Sequence, residues 1–156
     1  MKQQTPLTIT GGTLVTPEGL VDGALRLVDG LIAALGPDVT PGEGDTVLNA
    51  RGQLVAPGLV DFGVFAVDKP AFHFGGITRA ALMPDQSPPL DYPSRVNYIA
   101  KSGNPDLWVH PLAAATRSLE GAQLAEIALM KEAGARGVAA GRRWIADSGL
   151  LLRLMQ

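Results

Sequence analysis

Residues 47–61 read VLNARGQLVAPGLVD, and the interpretation of the whole chain turns on them. Val47 and Leu48 are β-like and run into a turn at Ala50–Gly52. A second apolar run, from Leu54 to Val60, is interrupted only by Pro57 and Gly58, ends on Asp61 and continues as FGVFAV. Proline is rare inside sheets, so Pro57-Gly58 marks a kink where the chain passes from one sheet to another. The expected organisation is a small β-domain over residues 1–56 and an α/β domain over 57–156, entered through a buried parallel strand.

Upstream of the kink the pattern has period two. Leu7 to Thr10 alternates and reads as a strand stopped by Gly11-Gly12, with Thr13 to Thr16 following. Ala24 to Val28 alternates again, and Asp29-Gly30 is a strong hairpin signal before a return strand from Leu31 to Leu35. Short strands with frequent turns predict a small β-sandwich.

Downstream the period changes. Ile77 to Met83 is a compact β-type run after Gly75-Gly76. Asp91 to Lys101 carries helix punctuation, with Pro93 near the first turn and Gly103 past the end. Leu107 to Val109 begins a strand. Ser118 is placed to cap a helix through Leu124, Ile127 and Lys131. A short strand is expected at Gly137 to Ala140, and Asp147-Ser148 is expected to start a last apolar helix, Leu150 to Met155. Strand and helix alternating through short loops is the mark of parallel βα units, here about three.

Composition narrows the function classes. The chain has 156 residues, enough for a real core but too few for a complete eight-unit barrel of roughly 250. Apolar residues make up 46% and charged ones 18%, as in a globular protein. Net charge is −2 with no basic stripe, which argues against nucleic acid as a partner. Cysteine is absent, so disulfides and thiolate metal sites are excluded. No apolar run approaches the roughly 18 residues of a membrane span, and no signal-peptide pattern is seen, so no membrane association and a cytoplasmic location are expected.

Several motifs, taken together, resemble the cyclic amidohydrolases, dihydroorotase above all. They are PGLVD at 57–61, GGIT at 75–78, MPDQSPP at 83–89, TRSLEG at 116–121 and LMKEAGA at 129–135. The resemblance covers nearly the whole chain. It implies a small β-sandwich followed by the first units of a metal-dependent (β/α)8 barrel, incomplete here. In active members zinc is held at the barrel mouth, where it lowers the pKa of bound water and polarises a carbonyl. There the first two ligands come from a His-x-His directly after the Asp of PGLVD. In this chain those positions are Gly63 and Phe65, and neither offers a lone pair. The family's following arginine falls on Val67, and its substrate-binding asparagine falls on Asp85, whose carboxylate would repel an anionic substrate. The further acid or lysine ligand would fall near 138–141, which reads VAAG. About a dozen residues separate Phe65 from Gly76, too few for the whole first crossover helix, so the first unit must be rebuilt.

Substitute ligands are few. His73 and His110 are the only histidines, and each reads first as a structural, hydrogen-bonded group. A metal set built from them with Asp61, Asp68 or Asp85 is the alternative. Arg79, odd for a barrel interior, is expected to pair with Asp61 or Asp85, and Asp85 and Arg79 are the weak substrate-binding candidates by family position. Arg142-Arg143-Trp144 reads as a solvated loop with a packed tryptophan, or as a partner contact.

The resemblance therefore implies a non-catalytic dihydroorotase homologue, without cofactor, serving as structural partner of aspartate transcarbamoylase in pyrimidine biosynthesis. The alternative is an active cyclic amidohydrolase of which this chain is a fragment. The apolar run from Leu150 to Met155 and the open edge of a partial barrel predict an oligomer, or coverage by that partner or by a missing C-terminal half.

Overall fold

A computed structural model describes residues 5–103 and 106–156. The chain divides into two compact units at Pro57–Gly58.

The first unit is one mixed sheet. It contains β1 (Leu7–Thr16), β2 (Gly19–Val28), β3 (Leu31–Gly36), β4 (Thr46–Asn49) and β5 (Leu54–Val55). Their order is β3-β2-β1-β4, with β5 also on β1. The hairpin at Asp29-Gly30 forms as expected, with both residues at positive φ, the backbone of a tight two-residue turn. Gly11-Gly12 does not stop a strand. The β1–β2 register shifts between Ile9 and Gly12, so the pair is a bulge inside one ten-residue strand. Gly12 leaves room for its neighbours, since a Cβ there would lie 2.8 Å from Val55 Cγ2. The expected sandwich is not what forms. The chain returns after the 37–45 loop and runs parallel to β1, so β4 and β5 extend the same sheet instead of starting a second one.

One polar cluster ties that return. Asp45, whose side chain is fully inaccessible, accepts hydrogen bonds from Arg26 Nε at 2.7 Å, Thr8 Oγ1 at 2.6 Å and Gly42 N at 2.8 Å. Arg26, then Thr8 and the Gly42 amide, hold the Asp45 carboxyl well below the usual carboxylate range. The folded state thus favours the ionised form. Its stabilising contribution is complete above the unfolded value of about 3.9 and is lost as pH falls toward the folded value. Asp45→Asn should therefore lower Tm by several degrees at pH 7 and flatten the loss of Tm between neutral and acid pH. Parallel acid limbs for the two proteins in a CD melting series would refute this.

The second unit is a parallel sheet of β6 (Leu59–Val64), β7 (Ile77–Leu82), β8 (Trp108–Ala114) and β9 (Gly137–Ala139), in sequence order. Among the described residues four helices accompany it: α1 (Lys69–Phe74), α2 (Pro93–Ser102), α3 (Ile127–Glu132) and α4 (Ser148–Leu154). There are four strand–helix units, one more than the sequence pattern suggested. The first crossover is the compressed one, a six-residue helix capped by Asp68, whose carboxylate accepts from Ala71 N at 3.2 Å.

Two local expectations fail. Strand β6 is not buried, because it lies at the edge of the sheet with Phe62 82% exposed. Ser118 caps no helix. It sits at φ 51 in a 3-10 turn, while α3 begins nine residues later at Ile127, and Leu124 pairs with Thr116 in an isolated bridge. The helical spacing was real only for the second half of that segment. Helix α4 does start as expected, with Asp147 accepting from Leu150 N at 2.8 Å.

The core of this unit lies between the sheet and α2 and α3. Val96, Leu107 and Met130 are completely buried there, each contributing on the order of 1.5–3 kcal/mol through removal from water. Among the described residues, no helix is long and apolar enough to cross a membrane.

Candidate functional site

Barrel chemistry belongs at the C-terminal ends of parallel strands, because side chains from several βα loops converge there. Here those ends are Val64 and Phe65 after β6, Met83 to Asp85 after β7, and the 140–142 turn after β9. Met83 N donates to Val64 O at 2.8 Å, which aligns the first two loops. Gln86 Nε2 donates to Phe65 O at 3.1 Å and to Met83 O at 3.0 Å, and so fixes the backbone on which the Phe65 ring is carried.

The Arg142 guanidinium lies 3.9 Å above the centre of the Phe65 ring, a cation–π contact. The backbone N–H of Arg142 donates to Asp85 Oδ1 at 2.9 Å. Gly141, at φ +73, makes this approach possible, since a Cβ there would lie 2.9 Å from Asp85 Oδ1. The other carboxylate oxygen, Asp85 Oδ2, is buried and has no hydrogen-bond partner among the described residues. Asp85 thus binds the turn after β9 to the loop after β7.

These residues do not fit a divalent cation. Gly63 has no side chain, Phe65 has no lone pair, and a permanent positive charge lies against the Phe65 ring. Among the described residues, no group of three or more His, Asp or Glu side chains could hold a metal ion. Asp61 Oδ1 accepts from Gly63 N at 3.1 Å. His73, in the last turn of α1, lies 3.3 Å from Asp106 O through Nε2.

Arg79 pairs with neither Asp61 nor Asp85. Its Nη1 lies 3.4 Å from His110 Nε2, and its guanidinium lies 5.5 Å from the centre of the Trp108 ring on the neighbouring strand. The register explains this, because Arg79 is level with Trp108 and two residues from His110. Arginine can only donate, so the His110 Nε2 must accept, which requires a neutral ring. Burial, and then the Arg79 and Arg136 charges, push the His110 imidazole below its usual value. The neutral form is favoured by folding, so this contribution is present above the unfolded value of about 6.5 and is lost as pH falls. An NMR titration should place the His110 midpoint below 6.5, and Arg79→Ala should move it upward. An unchanged midpoint in that variant would remove Arg79 from the account.

Trp144 is not packed, being 86% exposed, so only Arg142 of the Arg-Arg-Trp motif enters the site. Sequence reasoning missed the Arg142–Phe65 contact and the role of Gln86. The signal available was the glycine before Arg142, which marks a turn able to bring backbone against a carboxylate.

The chain is 35% identical over 166 aligned residues to a dihydroorotase of Pelotomaculum thermopropionicum, covering 96% of this chain and 38% of that protein. It is 30% identical to dihydroorotases of Geobacter sp. strain M21 and Acetivibrio thermocellus, again over 96% of this chain and 39% of each relative. The chain is thus similar to dihydroorotases along nearly its whole length. No protein-family model matches the chain. The dihydroorotase-like chain thus spans a little over a third of the length of these curated relatives. Its fold is similar to that of L-hydantoinase (dihydropyrimidinase) from Arthrobacter aurescens, with a TM-score of 0.79 at 23% identity, covering 98% of this chain and 38% of that one. D-hydantoinase from Thermus sp. is similar over 70% of this chain, with a TM-score of 0.54 at 20% identity.

Proposed function

We propose that this chain is a dihydroorotase-like protein of pyrimidine biosynthesis that does not catalyse the hydrolysis itself and serves as a structural partner of aspartate transcarbamoylase. One observation carries the loss of catalysis. The two positions where the resemblance expects imidazoles hold Gly63 and Phe65, and the Phe65 ring is covered by the Arg142 guanidinium. A metal ion brought there would find no ligand at either position and a like charge on Arg142. The likeness to dihydroorotases along nearly the whole chain supports the pathway. The partner follows from what the resemblance implies for members without metal ligands.

The test has two arms. Zinc added to the chain should show no binding tighter than millimolar by calorimetry, and dihydroorotate should be left unhydrolysed at any zinc concentration. Mixed with aspartate transcarbamoylase at micromolar concentration, the chain should co-migrate in size exclusion. Chelator-sensitive hydrolysis would overturn the non-catalytic reading and favour an active cyclic amidohydrolase. Failure to co-migrate would overturn the partner.

A further inference from the structure

We propose that the flank of α2 turned away from α3 holds a ligand site for a small anion with an apolar body, an aryl carboxylate being the simplest example. The site is a cavity of about 370 Å3 between the loop after β7 and the first two turns of α2. It lies on the helix-covered side of the sheet, outside the cluster of Phe65, Asp85 and Arg142.

The cavity exists because the first crossover is short. One side of α2 faces α3, where Asn97 Nδ2 donates to Ala133 O at 3.4 Å and a Cβ at Gly134 would lie 3.2 Å from Ala100 Cβ. In a run of parallel βα units, the opposite side faces the preceding helix. Here that helix is α1, with six residues. His73 on α1 lies 3.3 Å from Asp106 O, so α1 sits against the C-terminal end of α2. The flank of the first two turns is left open, and Ser94, Arg95, Tyr98 and Ile99 line the cavity there. Helix α2 packs on β8, which has a strand on either side, so the cavity is away from both edges of the sheet.

The donors select an anion. Among the described lining residues, Arg95 alone is charged. Its hydrogen bonds to Asp91 Oδ1 and Pro89 O both use Nη1, which leaves Nε and Nη2 without a partner among the described residues. Those bonds and the Tyr92 ring, 5.2 Å away, hold the guanidinium in place before a ligand arrives. A guanidinium offers a carboxylate two parallel N–H donors in a fixed geometry. Ser87 and Ser94 add hydroxyl donors to the wall. The Asp91 charge offsets part of the attraction, so the expected Kd is only on the order of 100 μM.

The rest of the wall selects an apolar body. Pro88, Leu90, Tyr98 and Ile99 supply it, and the tyrosine offers a ring face for stacking. The volume is near the lower end of the roughly 300–1,000 Å3 of small-molecule sites, which suits one or two fused rings.

The experiment titrates the full chain with 2-naphthoate and with its neutral counterpart 2-naphthamide, followed by amide NMR. 2-Naphthoate should bind with a Kd on the order of 100 μM and shift the amides of residues 86–99. 2-Naphthamide should bind at least about tenfold more weakly. Ser94→Trp fills the cavity from an exposed helix position and should weaken 2-naphthoate binding by about tenfold or more, with the native CD spectrum kept. Arg95→Lys keeps a charge beside Asp91 but loses the fork, and should also cost about tenfold. If Arg95→Lys fails to fold, the Ser94→Trp titration decides. A 2-naphthoate Kd above about 1 mM overturns the proposal, as do equal affinities for the two probes, or binding that either folded variant leaves unchanged. Neither zinc nor aspartate transcarbamoylase takes part, so failure here leaves the proposed function standing.

Discussion

Asp91→Ala should destabilise the protein by about 3 kcal/mol, the cost of breaking a largely buried, hydrogen-bonded ion pair. Asp91 is 5% exposed. One carboxylate oxygen accepts from Arg95 Nη1 at 2.6 Å, and the other accepts from Ser118 N at 2.9 Å. The aspartate thus joins the start of α2 to the strained turn after β8, where Ser118 and Leu119 both have positive φ. Arg95 also donates to Pro89 O at 3.0 Å and stacks on Tyr92 at 5.2 Å, so it stays in place when its partner is removed. Part of the Arg95 side chain reaches water, which keeps the expected cost toward the lower end of the range for buried pairs. Asp91→Asn keeps an acceptor for Ser118 N and should cost about half as much. The measurement is urea unfolding followed by CD. A loss under about 1 kcal/mol for the alanine variant would show that the pair does not hold the turn.

The second large effect is expected at Met130. Its side chain is completely buried in the cluster with Val96, Leu107 and Val109, where α3 packs on α2 and β8. Met130→Ala removes three heavy atoms from a site enclosed by β8 and two helices, so the cavity cannot fully collapse. The expected cost is about 3 kcal/mol, with a fall in Tm of roughly 6–12 °C. Met130→Leu keeps the volume and should cost less than about 1.5 kcal/mol. If the two variants melt together, the cluster is looser than its burial implies.

Much of this fold was legible because its signals are local. The Asp29-Gly30 hairpin, the Asp147 cap and the change from alternating to helical spacing after Pro57-Gly58 each depend on residues within a few positions of one another. Errors arose where pairing with distant strands decided the outcome. Gly11-Gly12 reads as a stop, but β2 continues alongside and absorbs the extra residue as a bulge. The helix expected from Ser118 is shortened because Thr116 pairs with Leu124 and the Asp91 carboxylate holds the Ser118 amide, both long-range interactions. The apolar run at 59–64 reads as buried, yet among the described residues β6 pairs with β7 alone.

By itself, the sequence determined the two-part organisation of the chain, the parallel βα pattern of its second half and the absence of imidazole at positions 63 and 65, since residue type and short-range spacing are enough for each. Only the tertiary structure decided what stands at those positions. It set Arg142 on Phe65 and the Arg142 amide on Asp85, residues 57 or more positions apart, because parallel strands gather their C-terminal loops at one end whatever their separation along the chain. It also turned Arg79 to His110 rather than to an acid, because register, not proximity in sequence, sets which side chains face each other across a sheet.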